Sequence, residues 1–181
     1  PGPDGAPTVI DQHAVQFPEP VYTYRLARNA VYATPTLALV YMSLTTPTTV
    51  YGYDMDARRF DLIKRDEVIG YNPDDYTTER LWATAPDGVQ VPISLVRRKD
   101  VPLDGTNPAW LYGYGSYGAN VNPAFDANRI SLLDRGFVFA LAHVRGGSEL
   151  GRSWYDNGKL LHKRNSFTDF IACAEHLVAA G

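Results

Sequence analysis

Phe137-Val138-Phe139-Ala140-Leu141-Ala142 is apolar at every position. A strand with one wet face alternates polar and apolar residues, whereas an unbroken run belongs to a strand covered on both faces, as in a parallel sheet flanked by helices. The neighbouring sequence supplies that pattern. Upstream, Ala109-Trp110-Leu111-Tyr112 reads as a short buried strand that glycine ends in Gly113-Tyr114-Gly115-Ser116-Tyr117-Gly118. A helix is expected from a cap at Asn122, with Pro123 in its first turn, to a C-cap glycine at Gly136. Its inward residues would be Phe125, Ile130 and Leu133. Downstream, the apolar run opens into Arg145-Gly146-Gly147. A last helix is expected with Ser166 as N-cap and Asp169 as a variant capping-box partner. Phe167, Phe170, Ile171, Ala174, Leu177 and Val178 would form its buried stripe, and Gly181 its C-cap.

The first part of the chain reads differently. Residues 1–20 carry recurrent prolines without apolar periodicity and are expected to be irregular or an edge segment. Thr36 to Ser43, Thr49 to Met55 and a short stretch from Phe60 to Lys64 read as strands, separated by Thr46-Pro47 and by the turn Asp56-Ala57-Arg58-Arg59. Together they make an antiparallel meander like one propeller blade. The turn-rich Gly70-Tyr71-Asn72-Pro73-Asp74-Asp75 marks an expected domain boundary. After it, Thr78 to Ala85 and Val89 to Arg97 form a hairpin around Pro86-Asp87-Gly88, where proline presets φ and glycine permits positive φ. Antiparallel strands followed by strand-helix-strand-helix give an α/β fold, the first half of an α/β sheet.

A chain of 181 residues that is 45% hydrophobic can bury a substantial core. Its 17 basic and 20 acidic residues are interspersed, which argues against nucleic-acid or membrane-surface binding. No apolar run is long enough to span a bilayer. One cysteine, Cys173, cannot form an internal disulfide and reads as a small core residue, so a reducing, cytoplasmic setting is expected. Neither end reads as a natural terminus, because there is no initiator methionine and Gly181 falls within the strand-helix pattern. His143, His162 and His176 are dispersed, with no carboxylate or serine at a telling spacing, which argues against a metal site. Nothing calls for a cofactor.

The glycine-tyrosine loop is the strongest candidate for chemistry. Acyl transfer needs a donor held rigidly where a carbonyl oxygen becomes negative, and alternating glycines let the backbone turn while presenting a tyrosine hydroxyl. Tyr114 is the candidate donor. On spacing alone, Tyr112, Tyr114 and Tyr117 read more readily as aromatic core at a strand end. Ser116 and Ser148 lie among glycines, but neither fits Gly-x-Ser-x-Gly, and both read as loop residues. Arg145 and Glu149 read as a charged pair that shapes a glycine turn.

Three segments carry a resemblance: Leu111 to Gly118, Ser131 to Val138, and His143-Val144-Arg145-Gly146-Gly147-Ser148-Glu149-Leu150-Gly151. With Ser43-Leu44-Thr45-Thr46-Pro47, Asp87-Gly88-Val89 and Val91 to Val96, they resemble the prolyl oligopeptidase family of serine peptidases, and within it the oligopeptidase B branch. The resemblance runs from about Tyr41 to Gly181. It implies a seven-bladed β-propeller capping an α/β-hydrolase domain with a Ser-Asp-His triad. Residues 1–70 would be the end of the propeller, its last blade, and residues 71–181 the first part of the catalytic domain, with the triad beyond Gly181. Tyr114 would then be the oxyanion donor and Tyr117 a lining residue of the substrate pocket. The implied substrates are short peptides, cleaved after arginine or lysine. Close relatives carry two aspartates just past the loop that favour a second basic residue, but Asn122 and Ala124 stand at those positions, with Asp126 near but offset. Proline-specific cleavage, an esterase, and a non-catalytic binding module remain alternatives.

Overall fold

The computed structural model of the chain describes residue 9 and residues 11–181. Two four-stranded sheets follow one another. The first is a meander of β1 (Tyr22–Leu26), β2 (Thr36–Ser43), β3 (Thr49–Asp54) and β4 (Arg59–Arg65), antiparallel throughout and paired in chain order. β1 is a strand the sequence reading did not include. Of the proline-bearing start, residues 1–8 and 10 lie outside the described residues, and 11–17 are irregular.

Segment 11–20 is nevertheless pinned. The Phe17 ring stacks on Tyr41 at 5.2 Å between centroids and lies 5.3 Å from Phe60, closing an aromatic cluster over one face of the blade. Glu19 accepts hydrogen bonds from the hydroxyls of Tyr41 (2.6 Å), Ser43 (2.7 Å), Thr45 (2.7 Å) and Thr46 (2.8 Å). A carboxylate taken partly out of water is tolerated when donors replace its hydration in this way.

The second sheet comprises β5 (Tyr76–Thr84), β6 (Gln90–Arg98), β7 (Ala109–Gly113) and β8 (Val138–Ala142), in the order β5-β6-β8-β7. β5 and β6 form the expected hairpin, with Gly88 at φ +83° and its N–H donating to Ala85 O at 2.8 Å. β8 lies between an antiparallel neighbour, β6, and a parallel one, β7. All of its residues are buried. Ala140 and Ala142 pack with Val91, Ile93, Trp154 and Cys173 on one face, while Phe139 and Leu141 pack with Val96 and Leu133 on the other. Val21 and Leu44, from the blade side, join this second cluster. Burial pushes the Cys173 thiol up to about 12, so it is a packing residue.

Among the described residues the α-helices are α1 (Ala127–Leu133), α2 (Arg152–Asp156) and α3 (Arg164–Ala180), with short 3-10 turns at Pro73–Asp75 and Leu160–His162. Two expected starts are corrected. α1 does not begin at Asn122; its cap is Asp126, whose carboxylate accepts the Asn128 N–H at 2.9 Å. Pro123 instead centres a γ-turn in which Ala124 N–H donates to Asn122 O at 2.8 Å. The expected end holds, because Gly136 N–H donates to Leu133 O and Phe137 N–H to Leu132 O, a Schellman pair made possible by φ +84° at Gly136.

α3 starts before Ser166, which is buried inside its first turns, and Asp169 caps nothing. Its buried residues are Ser166, Asp169, Ala172 and Cys173. Within the expected stripe, Phe170 and Leu177 pack against the core while Phe167, Ile171 and Val178 are exposed. The helix is apolar on two sides, and only one of them meets the sheet among the described residues.

Candidate active site

The loop after β7 is held from beneath by two other segments. Gly115 has φ +74°, and a Cβ there would fall 2.6 Å from Val144 Cγ2 and 2.7 Å from Arg145 O. Across the contact, Gly146 has φ +104°, and a Cβ on it would fall 2.1 Å from Gly115 O. The two backbones therefore touch at a separation only glycine permits. Gly118 N–H donates to Gly146 O at 2.9 Å, and Ser148 Oγ donates to Gly118 O. Ser116 and Ser148 are thus both occupied in loop structure.

The third support comes from α3. Lys163 Nζ donates to Gly115 O, to Ser116 Oγ at 2.8 Å and to Ser166 Oγ at 3.1 Å. Ser166 Oγ in turn lies 2.5 Å from Arg145 O. Burial lowers the Lys163 pKa from the ordinary lysine value, yet three acceptors around the ammonium keep it satisfied. The sequence carried no signal for this clamp, because its members are far apart along the chain.

On this base Tyr114 projects into a cleft of about 380 Å³ that Val144, Lys163, Phe167, Phe170 and Ile171 also line. Its side chain is 45% exposed, and among the described residues its hydroxyl has no hydrogen-bond partner. Tyr112 and Tyr117 are exposed as well, so within the described residues none of the three is aromatic core. Tyr117 sits at φ +59°, a left-handed conformation costing a bulky residue about 1–3 kcal/mol unless its surroundings impose it. The bonds of its neighbours, Ala119 N–H to Ser116 O and Gly118 N–H to Gly146 O, impose it here.

The charged pair read from the sequence is not formed. Arg145 turns away from Glu149 and bridges two other carboxylates: Nη2 is 2.6 Å from Asp169 Oδ1 and Nη1 is 2.6 Å from Asp87 Oδ2. Asp169 is fully buried and also accepts the Arg145 backbone N–H at 2.9 Å. These hydrogen bonds raise the Arg145 pKa further, and the guanidinium holds Asp87 below the usual carboxylate range. One residue thereby ties the loop below Gly115 to both the β5–β6 turn and α3. Its role is structural.

His143 also has partners that sequence spacing concealed. Its Nε2 lies 2.6 Å from Ser94 Oγ, and its Nδ1 lies 3.9 Å from Glu149 Oε1. The group resembles a Ser-His-acid triad in composition only. Ser94 and His143 are buried, and Nδ1 has no hydrogen bond, so no orienting bond to the carboxylate exists and no substrate reaches the serine. Glu149 Oε1 instead accepts the Val121 N–H at 3.1 Å. Among the described residues no cluster of histidine, cysteine and carboxylates gathers as a metal site. Asn122 is exposed on a cavity beside Glu149, Ala124 is half-buried, and Asp126 is committed to capping α1.

Residues 123–181 match the prolyl oligopeptidase family. The chain is 47% identical over 168 residues to dipeptidyl aminopeptidase BI of Pseudoxanthomonas mexicana, covering 92% of this chain and 23% of that protein. It is 43% identical over 165 residues to protease 2 of Moraxella lacunata, covering 91% of this chain and 24% of the relative. The structure resembles that of oligopeptidase B from Trypanosoma brucei with covalently bound antipain, with a TM-score of 0.83 at 46% identity, over 92% of this chain and 24% of that one. The chain thus spans 23–24% of the length of these relatives. Its two sheets are a β-propeller blade followed by the opening strands of an α/β-hydrolase domain. Sequence identity and backbone agree across nine-tenths of the chain, and the chain belongs to the prolyl oligopeptidase family.

Proposed function

We propose that these residues form part of a serine peptidase that hydrolyses short peptides after arginine or lysine, with Tyr114 as one oxyanion donor and Tyr117 lining the substrate pocket. The observation that carries the reading is the Tyr114 hydroxyl, unpartnered among the described residues, on a loop that two glycine contacts and the Lys163 clamp hold still. A hydrogen bond aimed at developing charge accelerates acyl transfer only if the donor is fixed before the reaction begins. The nucleophile, base and acid come from other parts of the parent protein, since Ser94, Ser116 and Ser148 are each engaged elsewhere. These residues alone are therefore inactive. The propeller part ends near residue 70 and the catalytic part begins at 71, within the segment between β4 and β5. Work in the cytoplasm fits a single, buried cysteine.

The 47% identity to a protein named dipeptidyl aminopeptidase favours a second reading, release of dipeptides from free N-termini. One substrate panel tests both. The full-length protein is assayed on arginyl, lysyl and prolyl amides, each with a blocked and a free N-terminus. Turnover of blocked arginyl and lysyl amides supports the first reading. Strict need for a free amine two residues from the cleaved bond supports the second, and prolyl selectivity or no amide hydrolysis defeats both.

A further inference from the structure

Three glycine-bearing segments meet under the Tyr114 loop, and their carbonyls converge. A Cβ on Gly158 would fall 2.1 Å from Gly146 N, as one on Gly146 would from Gly115 O, so backbones from three parts of the chain stack with no side chain between them. Ser166 Oγ stands 2.5 Å from Arg145 O, 3.2 Å from Gly115 O and 3.4 Å from Gly158 O. A hydroxyl has one hydrogen to give and cannot serve three acceptors. The shortest contact assigns that hydrogen to Arg145 O. Lys163 Nζ has three, which go to Gly115 O, Ser116 Oγ and Ser166 Oγ. Ammonium, hydroxyl and carbonyl thus form a one-way chain from Lys163 through Ser166 to Arg145. Among the described residues the side-chain donors to Gly115 O are Lys163 and Ser166, and the second is already committed. That carbonyl belongs to the residue directly after Tyr114, and Lys163 and Tyr114 line the same cleft.

We infer that Lys163 is a positioning residue for Tyr114, whose hydroxyl it keeps in place by holding the loop carbonyl beside it. This role rests on the oxyanion reading of Tyr114 and adds to it the side chain on which that reading depends. Gly113, Gly115 and Gly118 give the loop more backbone freedom than other residues would, so its shape needs a fixture from outside. Without the ammonium, Gly115 O keeps no free donor beneath the loop, and turning the carbonyl out to water is the cheaper state. The adjoining Tyr114 moves with it. A displacement of about 1 Å at a reacting centre can cost about 100-fold in rate. Lys163 Nζ is 5.8 Å from the centre of the Phe167 ring, so Lys163→Met keeps an apolar side chain of similar length there while removing the charge and its donors.

The test is a double-mutant cycle in the full-length protein, read on whichever amide of the substrate panel is cleaved fastest. Lys163→Met is expected to lower kcat about 10- to 100-fold with KM within about twofold. In a Tyr114→Phe background the same substitution is expected to cost less than about threefold, because the hydroxyl it positions is gone. A residue that merely supports the fold lowers both backgrounds equally. Equal losses therefore overturn the positioning role, as does an unchanged kcat or an effect confined to KM. Should Lys163→Met fail to fold, Lys163→Gln, which restores two donors, takes its place in the cycle. Loss of folding in both makes Lys163 a residue of the fold and also overturns the role. If Tyr114→Phe itself leaves turnover unchanged, or no amide is cleaved, the oxyanion reading fails separately. Amide hydrogen exchange then decides whether Lys163 positions the loop. Exchange of Gly118 N–H, bonded to Gly146 O, at least about tenfold faster in the Lys163 variant with β8 unchanged supports it. Equal exchange at Gly118, or faster exchange in β8 as well, overturns it.

Discussion

The blade and the hydrolase sheet each have four strands, yet they solve burial in different ways. Among the described residues the blade's last strand, β4, is almost wholly exposed, with Leu62 and Ile63 more than half open to solvent, and cohesion is concentrated in the Phe17 aromatic cluster and the four hydroxyls around Glu19. The second sheet hides β8 on both faces and fastens its loops with one buried ion bridge. Exposed strands tolerate change because few atoms depend on them. A two-sided strand with a buried bridge beneath the Tyr114 loop does not, and a loop proposed to hold a hydroxyl still is best built on it.

That contrast can be broken at graded cost. Removing the carboxylate of Asp169 strands the Arg145 charge in the interior, so Asp169→Ala in the full-length protein is expected to cost about 3–5 kcal/mol in denaturant unfolding. A loss under 1 kcal/mol on the scale of a surface pair would refute the bridge as the fastening. Next comes packing: Leu141→Ala on β8 is expected to cost about 2–5 kcal/mol, against about 0.5 kcal/mol or less for Ile63→Thr on β4. Equal effects would erase the distinction between the sheets.

The smallest expected effect is at Asp87, the outer end of the bridge. Its pKa is depressed by Arg145, so its stabilisation is fully present above the unfolded value near 3.8 and is lost as pH falls through the lower folded value. Asp87 is about half exposed, so solvent and salt reduce the contribution. The stability difference between the unmodified protein and Asp87→Asn should therefore be modest at neutral pH and close below about pH 3–4. A gap that persists or widens in acid would contradict the assignment.

How much of this was legible depended on the range of each interaction. The turn at Asp87-Gly88 and the Gly136 helix end are decided by φ and by bonds between near neighbours, so their residue types announced them. The apolar run of β8 declared its two covered faces. Asn122-Pro123 and Ser166-Asp169 carried local cap patterns too, but Asp126 lay closer to the first helical N–H groups, and Asp169 was claimed by Arg145 from a distant loop. α3 misled in a different way. Its apolar residues occupy two sides, and the sequence could not say which side meets β5 and β6. At the site, glycine spacing pointed to the loop and to Tyr114. The Lys163 clamp, the turning of Arg145 to Asp87, and the meeting of Ser94 with His143 exist only after the chain is folded.

The central claim is that the rigid base of the second sheet serves one hydroxyl. Its most direct test is the turnover number of the full-length protein carrying Tyr114→Phe, a change that removes only the oxygen and leaves the ring in its cleft. The account predicts a fall in kcat of about 100- to 1000-fold, near 2.7–4 kcal/mol of transition-state stabilisation, with KM little changed. Turnover equal to that of the unmodified protein, in a variant that unfolds at the same denaturant concentration, would contradict it.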